Sequence, residues 1–299
     1  MTDASRTAWV IANRTAGGGR CGQRLDRVLP TVERGLTCVV HNTRAPGDAI
    51  AIAERARAEG VTDVIAVGGD GTLFEVVNGL MKGDGPVPRL GILPFGTGNS
   101  FARDLKDHSP EVLVDAILAG RTRSIDLVRA EHADGVLYSI NLFSVGFTAV
   151  AGELTNARFK GLGVAGYIVA VLLTLVRLRH PAFRIRCDDG RWEDAPCALL
   201  SFSNSRYTGG DMCMAPAADP SDGLVDCIRV GAMGRLRFLR TFPKIFAGTH
   251  VDGTWVTAST ARKVEFELEE PVAVMVDGEI RSLRVRELRV LPSAIEVLT

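Results

Sequence analysis

The sequence predicts an α/β domain with a parallel sheet, followed by an all-β domain built as an antiparallel sandwich. Three observations predict it. Short apolar strands alternate with helical segments through the first half, the pattern of βαβ units. Three of the first four strands run directly into glycine-rich loops. After Arg129 the pattern turns to short alternating segments separated by turn residues, as in a sandwich. A chain of 299 residues suits two domains at about 150 each, and the change of pattern divides it into 1–128 and 129–299.

The elements follow in order. Ala8–Ala12 reads as a strand, Gln23–Arg34 as a helix, Thr37–Val40 as a strand and Pro46–Glu59 as an alanine-rich helix. Val64–Val67 is a third strand leading through GGDGT into a helix over Leu73–Met81. Leu90–Leu93 is a fourth, leading through PFGTGNS into a helix from about Phe101. Parallel strands put their carboxyl ends on one edge, where open α/β sheets bind ligands. The second half offers strands at Tyr138–Phe143, Phe183–Cys187, Ala198–Phe202, Leu224–Val230, Val264–Leu268, Val272–Val276 and Ile295–Leu298. Two helical insertions, Leu162–Arg179 and Leu236–Phe246, interrupt them.

Composition narrows the class further. Hydrophobic residues make up 46% and charged residues 23%, with 32 Gly and 13 Pro dispersed, which excludes collagen-like and largely disordered chains. Lys plus Arg and Asp plus Glu both total 35, so no global field favours nucleic acid, and no nucleic-acid partner is expected. Six cysteines without a CxxC pair read as reduced thiols. Met1–Asn13 shows no basic stretch followed by a long apolar one, so the expected location is the cytoplasm. The uncharged run between Lys160 and Arg177 is shorter than the roughly 20 residues a membrane helix needs.

The strongest local signal is Gly68-Gly69-Asp70-Gly71-Thr72, between an apolar strand and a helix. Glycines let backbone approach a phosphate, and the helix N-terminus presents free N–H groups. Asp70 would repel phosphate unless a cation such as magnesium mediates. A plain turn would need one glycine, whereas here three surround a carboxylate. Gly96-Thr97-Gly98-Asn99 repeats the design after the next strand, and two such loops side by side form a phosphate cradle. Gly17, Gly19 and Gly22 also match GxGxxG, but His41-Asn42-Thr43 stands where a dinucleotide fold wants an acidic residue. No Walker A lysine is present.

GGDGT, GTGN, SNSRYTGGDMCMAPAADPSDGL, FPKIFAGTH and DGE, in that order, resemble the diacylglycerol kinase catalytic-domain family of bacterial lipid kinases and sphingosine kinases. GGDGT alone is shared with NAD kinases and phosphofructokinases, and the downstream motifs narrow the match. The resemblance covers Asn13 to the C-terminus and implies ATP and lipid meeting in a cleft, with the last strand returning to the first domain. It implies that Asn13 and the loop to Gly17 lie near ATP, that Thr43 flanks it, and that Gly68 to Phe74, Thr97 and Asn99 cradle it. Asp70 would organise catalytic Mg2+, with Asp126 in its charge network. Asp277 would be the general base, with Glu279 a close neighbour, whereas the simpler reading of Asp277-Gly278 is a hairpin turn. A structural metal, Mg2+ or Ca2+, is implied at Asp222 with the carbonyls of Asp219 and Leu224, against an ordinary turn.

The chain departs from that pattern at Arg14, at Phe74, where the family places an asparagine, and at Ser100, where it often places an aspartate. The expected chemistry is transfer of the ATP γ-phosphoryl group to a lipid hydroxyl, with diacylglycerol and sphingoid bases both fitting. The alternatives are an NAD kinase-like enzyme with a soluble substrate, or a nucleotide- or lipid-binding regulator with a decayed magnesium network. Apolar helices with basic flanks, Arg177, Arg179, Arg184 and Arg186 beside one and Arg235, Arg237, Arg240 and Lys244 in the other, suggest transient contact with the inner membrane face or the lining of an acyl pocket, against the simpler reading of core-facing helices with solvated charges. Oligomeric state is not encoded legibly.

Overall fold

The structure, a computed structural model, describes residues 6–105, 107–154, 163–176 and 178–299. Its contacts divide the chain into unit 1, residues 1–125 with 293–299, and unit 2, residues 126–292.

Unit 1 is an α/β sheet in the order β2 (Thr37–Asn42), β1 (Thr7–Ala12), β3 (Asp63–Gly68), β4 (Arg89–Pro94), all parallel. Helices α1 (Cys21–Val32), α2 (Asp48–Ala58) and α3 (Asp70–Leu80) connect them. All six residues of β3 are buried, as expected of a central parallel strand covered on both faces. The last residues of the chain lie beside β4, where Val297 pairs in parallel with Leu90. The amino end of the sheet is held by Asp63, whose fully buried carboxylate accepts from Arg6 at 2.7 and 3.1 Å and from Arg89 at 2.7 Å. That ion triad ties the entry of β1 and the start of β4 to β3.

The helix expected from Phe101 is one 3₁₀ turn, Phe101–Asp104. The true helix is α4 (Pro110–Ala119), with Ser109 as N-cap, Pro110 inside its first turn and Gly120 in left-handed conformation after it. A proline fits a helix start because its missing N–H has no intrahelical partner there.

Unit 2 contains a six-stranded antiparallel sheet and shorter ladders facing it. In chain order its strands include the continuation of β5 (Thr122–His132), then β6 (Gly135–Ser139), β7 (Leu142–Gly146), β8 (Arg184–Cys187), β9 (Cys197–Ser203), β10 (Tyr207–Thr208), β11 (Met212–Cys213) and β12 (Val225–Gly231). They continue with β13 (Val256–Ala261), β14 (Lys263–Glu267), β15 (Val272–Val276), β16 (Glu279–Leu283) and β17 (Val285–Leu298), whose end belongs to unit 1. The large sheet runs β13-β12-β9-β7-β15-β16. β14 pairs antiparallel with β8 and β17, and Phe266 of β14 meets Phe202 of β9 edge-on at 5.5 Å, joining the two layers. The fold is therefore the expected mostly parallel α/β sheet plus antiparallel β-sandwich.

Several second-half boundaries differ from the sequence reading. The single strand expected over Tyr138–Phe143 is two, because Ile140 and Asn141 leave the ladder to make other hydrogen bonds. Helix α5 (Phe147–Leu154) follows β7, and α6 (Gly163–Leu175) is shorter than the expected Leu162–Arg179. Lys160, Leu162 and Arg177 lie outside the described residues. Arg184 and Arg186 do not flank a helix. They sit in β8 and pair with Glu267 at 3.1 Å and Glu265 at 2.8 Å across the ladder. The expected helix Leu236–Phe246 is α7 (Arg235–Thr241) followed by a 3₁₀ turn over Phe242–Ala247, where Pro243 offers no N–H to continue α-type bonding. All six cysteines are free.

Replacing Asp63 by Ala leaves two guanidinium groups without their shared carboxylate. The expected loss is about 2 kcal/mol, the worth of charged hydrogen bonds, read as a lowered midpoint in urea unfolding.

Candidate active site

In unit 1 the register aligns the strand ends. Ala12 pairs with Asn42 and with Val67, and Gly68 pairs with Pro94. Asn13, Thr43, Gly69 and Phe95 consequently leave the sheet along one edge. The backbone closes there: Asn13 N–H donates to Val67 O at 2.9 Å, Thr43 N–H to Ala12 O at 2.9 Å and Gly96 N–H to Gly68 O at 2.8 Å. The two glycine loops touch through bare backbone, since a Cβ on Gly96 would stand 2.3 Å from Gly69 Cα. Gly17, at φ +60°, presses on the same loop, and a Cβ there would stand 2.3 Å from Phe95 O.

Each predicted residue can now be placed. Asp70 opens α3, and its carboxylate accepts from Ser100 N at 2.7 Å and Ser100 Oγ at 3.4 Å. The departure at Ser100 therefore leaves that position wired to Asp70. Asn99 folds its carboxamide onto its own loop, donating to Pro94 O at 2.8 Å and accepting from Gly96 N at 3.1 Å. Asn13 is likewise inward-bonded, accepting from Thr15 Oγ1 at 2.8 Å. Thr72 is buried under Gly68, Thr97 is exposed, and Gly71 lies at the start of α3. The Phe74 side chain, 1% exposed, packs in the core rather than at the edge. Arg14 pairs with Asp26, while exposed Arg20 donates through Nε to Gly17 O at 3.2 Å. A hollow lined by Gly68, Gly69, Asp70, Leu73, Pro94 and Asn99 completes the edge. Its chemistry is anion-binding: free N–H groups and positive dipole at the start of α3, with one carboxylate among them. A carboxylate at a helix start among backbone N–H groups is a donor set that fits a hydrated Mg2+ held through hard oxygen.

In unit 2, Asp277-Gly278 is the two-residue turn between β15 and β16, with φ +50° and +91° as a type I′ turn requires. Its side chain does something a simple turn does not. The carboxylate, 3% exposed, accepts from Ser139 Oγ at 2.5 Å and from the N–H groups of Ile140, Asn141 and Leu142 at 3.0, 3.0 and 2.9 Å. Burial raises its pKa above the ordinary carboxylate value, against the lowering effect of those four donors. Glu279, two residues on, is exposed at the start of β16.

Asp126 accepts from Gly223 N at 2.7 Å, and its carbonyl takes Asn204 Nδ2 at 2.9 Å. Asn204 also donates to Ile140 O at 2.8 Å, so it links Asp126 to the segment capped by Asp277. The sequence reading assigned no role to Asn204 or Ser139; only Asn204's place in the SNSRYTGGD motif hinted at one. In the turn that Gly223 closes, Ser221 N–H donates to Asp219 Oδ1 at 3.1 Å and Leu224 N–H to Asp222 Oδ1 at 2.9 Å. Burial and the Asp222 charge push nearby Asp226 up to about 6. Among the described residues no three His, Cys, Asp or Glu side chains converge as a metal site. A cation at this turn would rely on Asp222 and backbone carbonyls.

Unit 2 also holds an apolar pocket, to which the segment around Leu236–Phe246 contributes and whose other walls the sequence does not point to. It encloses about 580 Å³, part of it open to solvent, lined by Phe147, Leu199, Met212, Met233, Phe238 and Ile245 among others. Its walls come from α5, β9, β11 and the α7 region, separated in sequence by up to a hundred residues. Periodicity within one element could not signal it.

A glycine-lined parallel-sheet edge with an acidic helix start, in one chain with an antiparallel sandwich, is an architecture suited to binding a phosphorylated ligand. Residues 7–130 match the diacylglycerol kinase catalytic domain, and residues 141–299 match the YegS C-terminal NAD kinase beta sandwich-like domain. The chain is 33% identical over 254 residues to a diacylglycerol kinase of Mycobacterium tuberculosis, covering 84% of this chain and 81% of that protein. It is 29% identical over 278 residues to a diacylglycerol kinase of Bacillus subtilis, covering 92% and 90%. A solved diacylglycerol kinase structure from Bacillus anthracis superposes with TM-score 0.76 at 21% identity, over 99% of this chain and 97% of that one. The chain belongs to the diacylglycerol kinase catalytic-domain family of YegS-type lipid kinases. It is a lipid kinase, and the family implies ATP as phosphoryl donor. Among the described residues no helix is long and apolar enough to cross a membrane.

Exchanging Asp277 for Asn turns one accepting oxygen into a donor facing N–H groups. The expected cost is about 2 kcal/mol, that of a buried unsatisfied polar group, measured by urea unfolding of the full chain.

Proposed function

We propose that unit 1 holds Mg2+-ATP on its glycine-lined edge and that the γ-phosphoryl group passes to a hydroxyl of a diacylglycerol, sphingoid base or related lipid whose chain occupies the apolar pocket of unit 2. The observation that carries this reading is the contact of the GGDGT and GTGN loops, which leaves backbone N–H groups and Asp70 at one helix start. Phosphoryl transfer is governed by positioning and charge stabilisation. Gly68, Gly69, Gly71, Thr72 and Thr97 supply the cradle, and Asn13, Thr43 and Gly17 border it. Bound Mg2+ would neutralise charge on the phosphates. Phe74 and Asn99 act through packing and loop shape.

The carboxylate we assign as proton acceptor is Glu279. Asp277 already accepts four hydrogen bonds and is buried, whereas Glu279 is exposed beside it in sequence. Asp277 then positions the Ser139–Leu142 segment. The turn over Asp219, Asp222 and Leu224 is assigned to a hard divalent cation, Mg2+ or Ca2+, with Asp126 bracing it; the crowding of Asp222 and Asp226 supports this. Transient contact with an anionic membrane surface is assigned to the α7 region, where Leu236, Leu239 and Trp255 are exposed near Arg237 and Arg240. On this reading the enzyme works at the cytoplasmic membrane face. A nucleotide-binding regulator without turnover is the less supported reading, because Ser100 engages Asp70 where a decayed network would leave it loose.

The test is ³²P transfer from Mg2+-ATP to a lipid panel in mixed micelles. Turnover of one lipid is expected. Glu279→Gln should lower kcat by about 100-fold or more, the usual worth of a general base, at unchanged melting temperature. Near-wild-type activity in that variant would return the role to Asp277, and phosphorylation of a soluble acceptor alone would overturn the lipid reading.

A further inference from the structure

One residue that lines the apolar pocket carries a buried polar atom that its surroundings leave unanswered. His250, 5% exposed, lines the pocket from the 3₁₀ turn Thr249–Asp252. Its Nε2 lies 3.0 Å from Met214 O. A carbonyl only accepts, so Nε2 carries the proton and Nδ1 is left as an acceptor lone pair. Among the described residues, Nδ1 is the one side-chain atom of this lining that is buried without a hydrogen-bond partner. Burial also lowers the imidazole pKa, which keeps the ring neutral and Nδ1 accepting at pH 7. The other polar members behave differently where their bonds are defined: Thr148 Oγ1 already shares a hydrogen bond with Ser144 Oγ at 2.9 Å.

We infer that His250 is a specificity-determining residue whose Nδ1 accepts a hydrogen bond from a donor carried by the lipid itself, a second hydroxyl or an amide N–H near the head of the chain. This rests on the assignment of the pocket to the lipid. A pocket of methionine, phenylalanine and aliphatic side chains accepts any chain of suitable length, so it discriminates weakly among acyl groups. A buried acceptor discriminates by a different rule. A lipid bringing a donor completes it, while a lipid whose only inward polar groups are ester oxygens leaves lone pair facing lone pair. The substrate class favoured is therefore the lipid with a donor besides the reacting hydroxyl, such as a monoacylglycerol or an N-acyl sphingoid base, over a diester with the same chains. His250 makes no contact with the transferred phosphoryl group in this role and is a selector, not a catalytic residue.

The experiment compares a monoacylglycerol with its 2-O-methyl ether, which keeps the primary hydroxyl and removes one donor. In the wild-type chain kcat/KM should favour the free hydroxyl by about 10-fold or more, as for sites that lose a hydrogen-bond partner. In His250→Phe that ratio should fall toward one, whatever the absolute rates. Independently of turnover, the Nδ1 resonance of ¹⁵N-histidine-labelled wild type should move on binding the monoacylglycerol in micelles and not on binding the ether. A wild-type ratio near one, a ratio that survives in His250→Phe, or equal resonance shifts for both lipids overturns the inference. Should no lipid be phosphorylated, the kinase assignment of the pocket fails on that count, while the binding spectra still decide the role of His250.

Discussion

Two glycines meeting backbone to backbone, Gly69 and Gly96, set the geometry of the sheet edge proposed to hold the nucleotide. No other residue type permits the contact, since a single methyl group at Gly96 would overlap the facing Cα. The contact follows from the sheet: β3 and β4 are parallel neighbours, so their carboxyl ends, and the loops leaving them, emerge side by side. With the loops in contact, Ser100 reaches back across to Asp70, and the start of α3 is braced by the neighbouring turn. Gly17 adds a third loop to the same cluster. A loop cluster of this kind contains almost no side chains, which is why backbone conformation rather than residue chemistry builds it.

Unit 2 is organised around buried polar groups instead. Asp277 fulfils the demands of a tight turn with its backbone, and with its carboxylate it terminates a break between β6 and β7. Asn204 reaches the same break from the other side and ties it to Asp126. Buried carboxylates are costly unless bonded, and here Oδ1 accepts from Ser139, Asn141 and Leu142 while Oδ2 accepts from Ile140. Of the two readings offered by the sequence, turn residue or proton acceptor, the turn is present, and its side chain also fixes a loop. The carboxylate of Glu279, two positions later, is exposed and is the proton acceptor in the function proposed above.

The sandwich combines an apolar pocket with exposed apolar and basic residues of the α7 region. Leu236, Leu239 and Trp255 remain on the surface because α7 is short and packs mainly through Phe238. The basic residues near them differ in kind from Arg184 and Arg186, which are neutralised in the β8–β14 ladder. Charge counted along the sequence could not separate these two sets, since pairing across a ladder depends on register.

Much of unit 1 was legible in the sequence because its signals are local. The strand endings, the glycine loops and their adjacency follow from apolar runs, Gly and parallel topology, and the ordered motifs identified the family. The expected helix at Phe101 misfired because the Ser109-Pro110 start was overlooked, not because the signal was missing. By contrast, the fates of Asp277, Ser100, Phe74 and His250 were decided only by tertiary structure. Each depends on which distant group a side chain meets: Ser139–Leu142 for Asp277, Asp70 for Ser100, the core for Phe74, and Met214 with the pocket wall for His250. Composition and periodicity carry information about neighbours along the chain, whereas hydrogen-bond saturation and burial are properties of neighbours in space.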